Sequence, residues 1–113
     1  MDISFSEEQV DIINKILKKN ECKKTIIYGA GAYAKEFFDK FDISKLNIIA
    51  VADIKFFSSE GVFSGIKGIS PYTIGDLNPE LVLICIKDWD EIEYFLQNIL
   101  NIGSETLIET LPI

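Results

Sequence analysis

The run Thr25-Ile26-Ile27-Tyr28-Gly29-Ala30-Gly31-Ala32-Tyr33-Ala34 constrains this chain more than any other stretch. A β-branched, apolar segment feeds straight into Gly-x-Gly-x-x-Ala, and a helical pattern follows. A strand that turns sharply into a helix reads this way. Gly29 sits where the chain must turn, and only glycine does so without a Cβ penalty. Gly31 lets the backbone come close to a phosphate, and Ala34 is small enough for the helix to pack on the strand. The free N–H groups of Gly31, Ala32 and Tyr33 then face an anion held against Gly29-Ala30-Gly31, at the positive end of the helix dipole. A tight βα turn without a ligand would need the same glycines, so the motif takes its weight from the strand before it and the helix after it.

The rest of the chain supplies more units of the same kind. Ser6 and Gln9 have the spacing of a capping box, with Phe5 and Val10 placed as a hydrophobic staple. Val10, Ile13, Ile16 and Leu17 share one face of the helix that follows, which ends near Lys19-Asn20. The first strand is Lys24 to Tyr28, and the helix after the glycines runs from Gly31 or Ala32 to Lys40. The second strand, Asn47 to Ala52, is apolar on both faces, as in a buried parallel sheet. Residues 54–80 are broken by glycine and proline, with a short third strand around Ile66 to Ser70 or just before it. Leu81 to Ile86 is the fourth strand. Asp88 and Glu91 have capping-box spacing ahead of the Ile92, Phe95, Leu96, Ile99, Leu100 stripe, Gly103 suits the helix C′ position, and a last strand covers Glu105 to Ile108. Alternating strands and helices imply right-handed crossovers. The expected fold is a three-layer α/β domain with a parallel sheet of about five strands, order 3-2-1-4-5, and an extra N-terminal helix. One domain of 113 residues is expected (1–20 helix, 24–110 core).

Composition removes several classes. With 48% hydrophobic residues the chain can build a core without disulfides. Cys22 and Cys85 make no disulfide framework, and Cys85 lies in an apolar run where a thiol acts as a small hydrophobe. The chain has no histidine, which excludes Cys–His and Ser–His–Asp catalysis and a His-based zinc site. The formal charge of −7, with only the Lys18-Lys19 and Lys23-Lys24 pairs clustered, argues against a nucleic-acid partner. No apolar stretch is long enough for a membrane span. Met1-Asp2-Ile3-Ser4 lacks the basic region of a signal peptide, so the expected location is cytoplasmic.

Asp53 ends the second strand, where an acid can accept hydrogen bonds from both hydroxyls of an adenosine ribose. It would repel a 2′-phosphate and so favours NAD over NADP. A strand-end Asp capping the next loop is the alternative. Ile54 follows Asp53, and Ile86 and Lys87 stand at the end of the fourth strand; both exits border the crevice at the topological switch point. Lys87 reads as a phosphate or ribose contact or as an ordinary exposed lysine. Trp89 and Tyr33 read as crevice walls or as packing at helix starts. No catalytic set is visible. None of Tyr28, Tyr33, Tyr72 or Tyr94 has a lysine four residues on, as short-chain dehydrogenases require, and Tyr28 stands where an acid would orient S-adenosylmethionine.

Ile27-Tyr28-Gly29-Ala30-Gly31, Ile49-Ala50-Val51-Ala52-Asp53, Gly65-Ile66-Lys67-Gly68-Ile69-Ser70-Pro71 and Leu81 to Ile86, taken together, resemble the N-terminal Rossmann-like domains of bacterial polysaccharide-biosynthesis proteins. These include CapD-like nucleotide-sugar dehydratase/epimerases and sugar O-acyltransferases. The resemblance spans residues 24–110. It implies nucleotide contacts at Gly29, Ala30, Gly31 and Asp53 and a role in nucleotide-sugar metabolism. The sequence departs from that pattern at Ile54-Lys55, where a second acid is common. No catalytic half follows, so the chain reads either as a fragment of a longer, nucleotide-sugar-modifying enzyme or as a separate subunit.

Three functions fit. The first is a non-catalytic domain binding a nucleotide or dinucleotide, with NAD as cofactor and a catalytic partner domain or a second copy as companion. The second is a ligand-free interaction or regulatory module that docks on an enzyme, with an exposed apolar patch on the Val10–Leu17 face. The third is a complete small enzyme, which lacks visible acid/base pairs.

Overall fold

The computed structural model describes residues 4–113. Met1-Asp2-Ile3, most of the stretch read for a leader, lies outside the described residues. Helix α1 spans Glu7–Lys19, strand β1 Lys24–Tyr28, α2 Ala32–Lys40 and β2 Asn47–Ala52. Then come β3 Gly61–Phe63, β4 Ile66–Ile69, β5 Leu81–Ile84, α3 Trp89–Tyr94 and β6 Leu107–Thr110. The strands form one six-stranded sheet in the order β3-β4-β2-β1-β5-β6. Neighbours are parallel except β3 and β4.

Five of these strands, β4-β2-β1-β5-β6, reproduce the expected 3-2-1-4-5 order. The sixth, β3, corrects the expected count. It pairs with β4 around Ser64-Gly65, with Phe63 opposite Ile66. Both turn residues have positive φ, 50° and 81°, as a two-residue hairpin turn that matches strand twist requires. The Phe56 ring lies over the cross-strand pair Gly61 and Gly68, where any Cβ would come within 3 Å of it.

Alternate strand residues build two cores. Ile27, Val51, Leu81, Leu83 and Cys85 meet Ile13 and Leu17 of α1 and Ala34 and Phe37 of α2. Ile26, Tyr28, Ala50, Ala52, Val82 and Ile84 meet Ile74 and Leu96 on the opposite face. Right-handed crossovers explain the split. Moving from β1 out to β2 and β4 places α2 on the first face. Crossing back to β5 and on to β6 places the helical turns of Pro71–Leu77 and α3 on the second.

That topology leaves the first face bare over β5 and β6, and α1 covers it. The expected capping box forms: Ser6 Oγ accepts from the Gln9 N–H at 3.2 Å, and Gln9 Oε1 accepts from the Ser6 N–H at 2.8 Å. Gln9 Nε2 donates to the Pro112 carbonyl at 2.7 Å. At the other end, buried Asn20 donates to the Ile16 carbonyl and to Glu109 Oε2 at 2.8 and 2.7 Å. Ile13 and Leu17 are buried. The apolar face proposed for docking on an enzyme is therefore the face that seals this chain's own sheet.

Three local expectations move. Asp88 does not cap α3: its φ and ψ are −87° and 46° and its side chain accepts no capping hydrogen bond, because an N-cap carboxylate needs extended backbone. Asp90 Oδ1 instead accepts from the Glu91 N–H at 3.0 Å. Helix α3 then widens into a π-turn over Phe95–Ile99, and Asn101 rather than Gly103 takes the first left-handed position after it (φ 55°). Strand β6 begins two residues later than expected, its Leu107 N–H bonding to the Glu80 carbonyl.

Candidate functional site

The two glycines of the turn do different work. Gly29 has φ +114°, and a Cβ there would stand 2.3 Å from Ile86 Cγ2 and 3.2 Å from the Cys85 carbonyl oxygen. Its N–H donates to the Ala52 carbonyl, and the Cys85 N–H donates to the Tyr28 carbonyl, each at 2.8 Å. The turn is thus clamped between the exits of β2 and β5, on either side of the point where strand order reverses. The fold itself demands glycine at position 29.

Gly31 is not demanded by the fold. Its φ is −121°, and a Cβ there would find nothing within 4 Å. It is the N-cap of α2, yet no side chain caps the helix and no acid lies in its first turn. The N–H groups of Ala32, Tyr33 and Ala34 have no acceptor within the helix. A side chain at Gly31 would enter open space, so its absence serves no packing purpose.

Asp53 stands beside the turn and is already engaged with it. Its Oδ2 accepts from the Ala30 N–H at 2.7 Å and its Oδ1 from the Lys55 N–H at 3.0 Å. The Lys55 ammonium in turn donates to the Ala30 carbonyl. Both backbone polar groups of Ala30 are therefore held by side chains from the exit of β2. Lys55 escaped notice in the sequence as a site residue; its place two positions after the strand-end acid was the available signal.

A cleft of about 370 Å³ opens next to Asp53. Tyr28, Ile54, Tyr72, Ile86 and Phe95 line it, with Glu91 the one further carboxylate. Tyr72 meets Phe57 and Phe95 edge-on, with ring centroids 5.6 Å apart in both pairs. Ile54, Phe57 and Tyr72 are exposed. Burial first, then the charge of Asp53 and then Tyr72 push the Tyr28 phenol up to about 12, so it faces the cleft as a neutral donor. Of the expected site residues, Asp53, Ile54 and Ile86 line this cleft; Ala30 is tied to it through Asp53 and Gly29 stands against Ile86, while Gly31 and Ala32 lie outside its lining. Tyr33 lies in the first turn of α2 and Lys87 is exposed; neither lines the cleft.

Cys85 is fully buried, which raises its thiol pKa, and Cys22 is exposed. Among the described residues no three His, Cys, Asp or Glu side chains cluster as a metal site, and no helix is long and apolar enough to cross a membrane.

Sheet order, glycine turn and crevice define a Rossmann-like α/β domain. Solved structures share it. The chain superposes on RSP, a Rex-family repressor, with a TM-score of 0.56 and 19% identity, over 92% of this chain and 59% of that one. RSP in complex with β-NADH gives 0.55 and 19%, over 92% and 60%. RSP in complex with β-NAD+ and operator DNA gives 0.52 and 21%, over 94% and 58%. The chain thus spans about three-fifths of the length of RSP. No protein-family model matches the chain, and no curated protein matches it.

Two expectations change. None of these three structures is a polysaccharide-biosynthesis protein, so only the Rossmann-like part of that resemblance stands. The exclusion of nucleic acid on net charge is overturned, because a protein of this fold is found on operator DNA.

Proposed function

We propose that residues 1–113 form one NAD-binding module, with the dinucleotide lying across the exits of β1, β2 and β5. The observation that carries this reading is Gly31. It is a glycine that neither backbone angle nor packing requires, facing open space at an uncapped helix N-terminus. A pyrophosphate fills that space and takes the N–H groups of Ala32 and Tyr33. Asp53 keeps lone pairs for the ribose hydroxyls while holding Ala30. The adenine enters the cleft between Ile54 and Ile86, with Tyr72 and Phe95 as aromatic walls and the Tyr28 hydroxyl as a donor. RSP, which shares the fold, has been crystallised with β-NADH and with β-NAD+, which supports the choice of cofactor.

In this reading the chain's own residues bind and orient the dinucleotide. We therefore read the module as a binding or sensing unit rather than a self-sufficient enzyme. Its exposed free thiol at Cys22 suits the reducing cytoplasm. The link to nucleotide-sugar metabolism rests on short motifs alone and forms no part of the proposal. Calorimetry with NAD, NADH, NADP, a UDP-sugar and S-adenosylmethionine tests the reading. NAD or NADH binding more tightly than the other three is expected; no heat with either, or a preference for the UDP-sugar, refutes it.

A further inference from the structure

We infer that Lys55 is a phosphate-binding residue of this site, a role that builds on the NAD reading above. Its ammonium sits on the Ala30 carbonyl, one residue before the uncapped N-terminus of α2. The carbonyl is a neutral acceptor, and a phosphate oxygen is a stronger one for the same donor. The stem of Lys55 is anchored where it leaves β2, because Asp53 Oδ1 holds the Lys55 N–H. Phe56 and Phe63 lie under the ammonium at 5.9 and 6.0 Å from their ring centroids, which steadies a cation there without neutralising it. Asp53 shares the same turn but is not ion-paired with Lys55; among the described residues the ion pairs are Lys19–Glu109 and Lys67–Glu60. The site thus holds a cation that no carboxylate meets at ion-pair distance, since Asp53 is engaged with the Ala30 and Lys55 N–H groups, and it sits on the peptide unit that joins Ala30 to Gly31.

The phosphate in question is either the pyrophosphate in front of Gly31 or a 2′-phosphate on the ribose beside Asp53, and ligands separate the two. Affinities of adenosine, ADP, NAD, 2′-AMP and NADP are measured for the parent chain, Lys55→Met and Lys55→Arg, with thermal melts as a check on folding. Lys55→Met is expected to weaken the phosphate-bearing ligands by about tenfold or more, to leave adenosine unchanged and to flatten the salt dependence of binding. Lys55→Arg is expected to restore affinity. Loss for ADP, NAD and NADP with 2′-AMP unchanged assigns the pyrophosphate; loss confined to 2′-AMP and NADP assigns the 2′-phosphate. Equal loss for adenosine and its phosphates overturns the inference, since Lys55 would then only shape the turn through Ala30. No loss for any ligand overturns it too. If the parent chain binds none of the five, the NAD reading falls and this inference falls with it, a result distinct from either.

Discussion

Gly29 and Gly31 are two residues apart, and the structure assigns them opposite sensitivities to alanine. At Gly29 the new Cβ must occupy φ +114° and approach Ile86 Cγ2 to 2.3 Å and the Cys85 carbonyl to 3.2 Å. Backbone strain of that kind costs about 1–3 kcal/mol. The Ile86 methyl can swing away, but the carbonyl belongs to the clamp on β5 and cannot, and overpacking adds about 1–3 kcal/mol. A combined loss of about 2–6 kcal/mol follows. In a chain of this size, where each kcal/mol shifts the melting midpoint by about 4 °C, the Gly29→Ala midpoint falls by roughly 8–24 °C.

At Gly31 the new methyl meets no atom within 4 Å and the backbone is extended. Reduced freedom of the unfolded chain favours alanine by about 0.4–1 kcal/mol, and alanine is a poorer N-cap than glycine by a similar amount. Stability should stay within about 1 kcal/mol of the parent. Binding should not. A methyl group there holds a pyrophosphate away from the donors of α2, and each hydrogen bond to a charged group is worth about 1.5–3 kcal/mol. Losing one weakens NAD roughly ten- to hundredfold. Urea unfolding and calorimetry on both variants decide the matter. If Gly31→Ala melts as early as Gly29→Ala, the space in front of Gly31 is not open. If it is stable and binds NAD like the parent, the pyrophosphate lies elsewhere.

Further expectations concern neighbouring groups. Asp53→Ala leaves the buried Ala30 N–H without an acceptor and should cost about 1–3 kcal/mol in urea unfolding. The same variant should narrow the gap between NAD and NADP affinities; an unchanged gap removes Asp53 from ribose recognition. Tyr28 ionises near 12 when folded against 10.0 as its ordinary value, so the native state favours the protonated phenol. Its stabilising effect is complete below pH 10 and is lost as pH rises to about 12. The parent should therefore lose stability relative to Tyr28→Phe across that window, and parallel curves would refute it. A thiol reagent should label Cys22 in the folded chain and Cys85 only after unfolding; early labelling of Cys85 would show that the β5 exit opens.

The sequence was legible where burial makes the pattern continuous. Strands β1 and β2 carry apolar residues on both faces, and their observed limits, Lys24–Tyr28 and Asn47–Ala52, are those expected. Strand β3 was missed because it is three residues long, lies at the sheet edge and exposes Val62. Ser64-Gly65 between Val62-Phe63 and Ile66-Lys67 was its signal. The spacing of Asp88 and Glu91 suggested a cap, but capping depends on the φ and ψ of Asp88, which the β5 exit dictates and spacing does not reveal. In the site, Gly29 was legible through its own backbone. The bonds of Asp53 and Lys55 to Ala30 were not, because they join residues more than twenty apart through tertiary structure.

The failure of the charge argument has the same origin. A net charge of −7 was set against a nucleic-acid partner, while the same chain was expected to bind a pyrophosphate, itself a polyanion. Both expectations cannot follow from one sum. An anion responds to the donors within a few ångströms of it, and beyond about 10 Å solution ions screen the rest. In the proposed site those donors are the N–H groups of α2, which carry no formal charge and so never enter the sum, together with Lys55, one cation among eleven Lys and Arg. RSP, of the same fold, is found on operator DNA over a chain of which this one spans 58%. The charge of these 113 residues therefore describes their average surface, and it decides neither which anion one turn can hold nor which polymer a protein of this fold can meet.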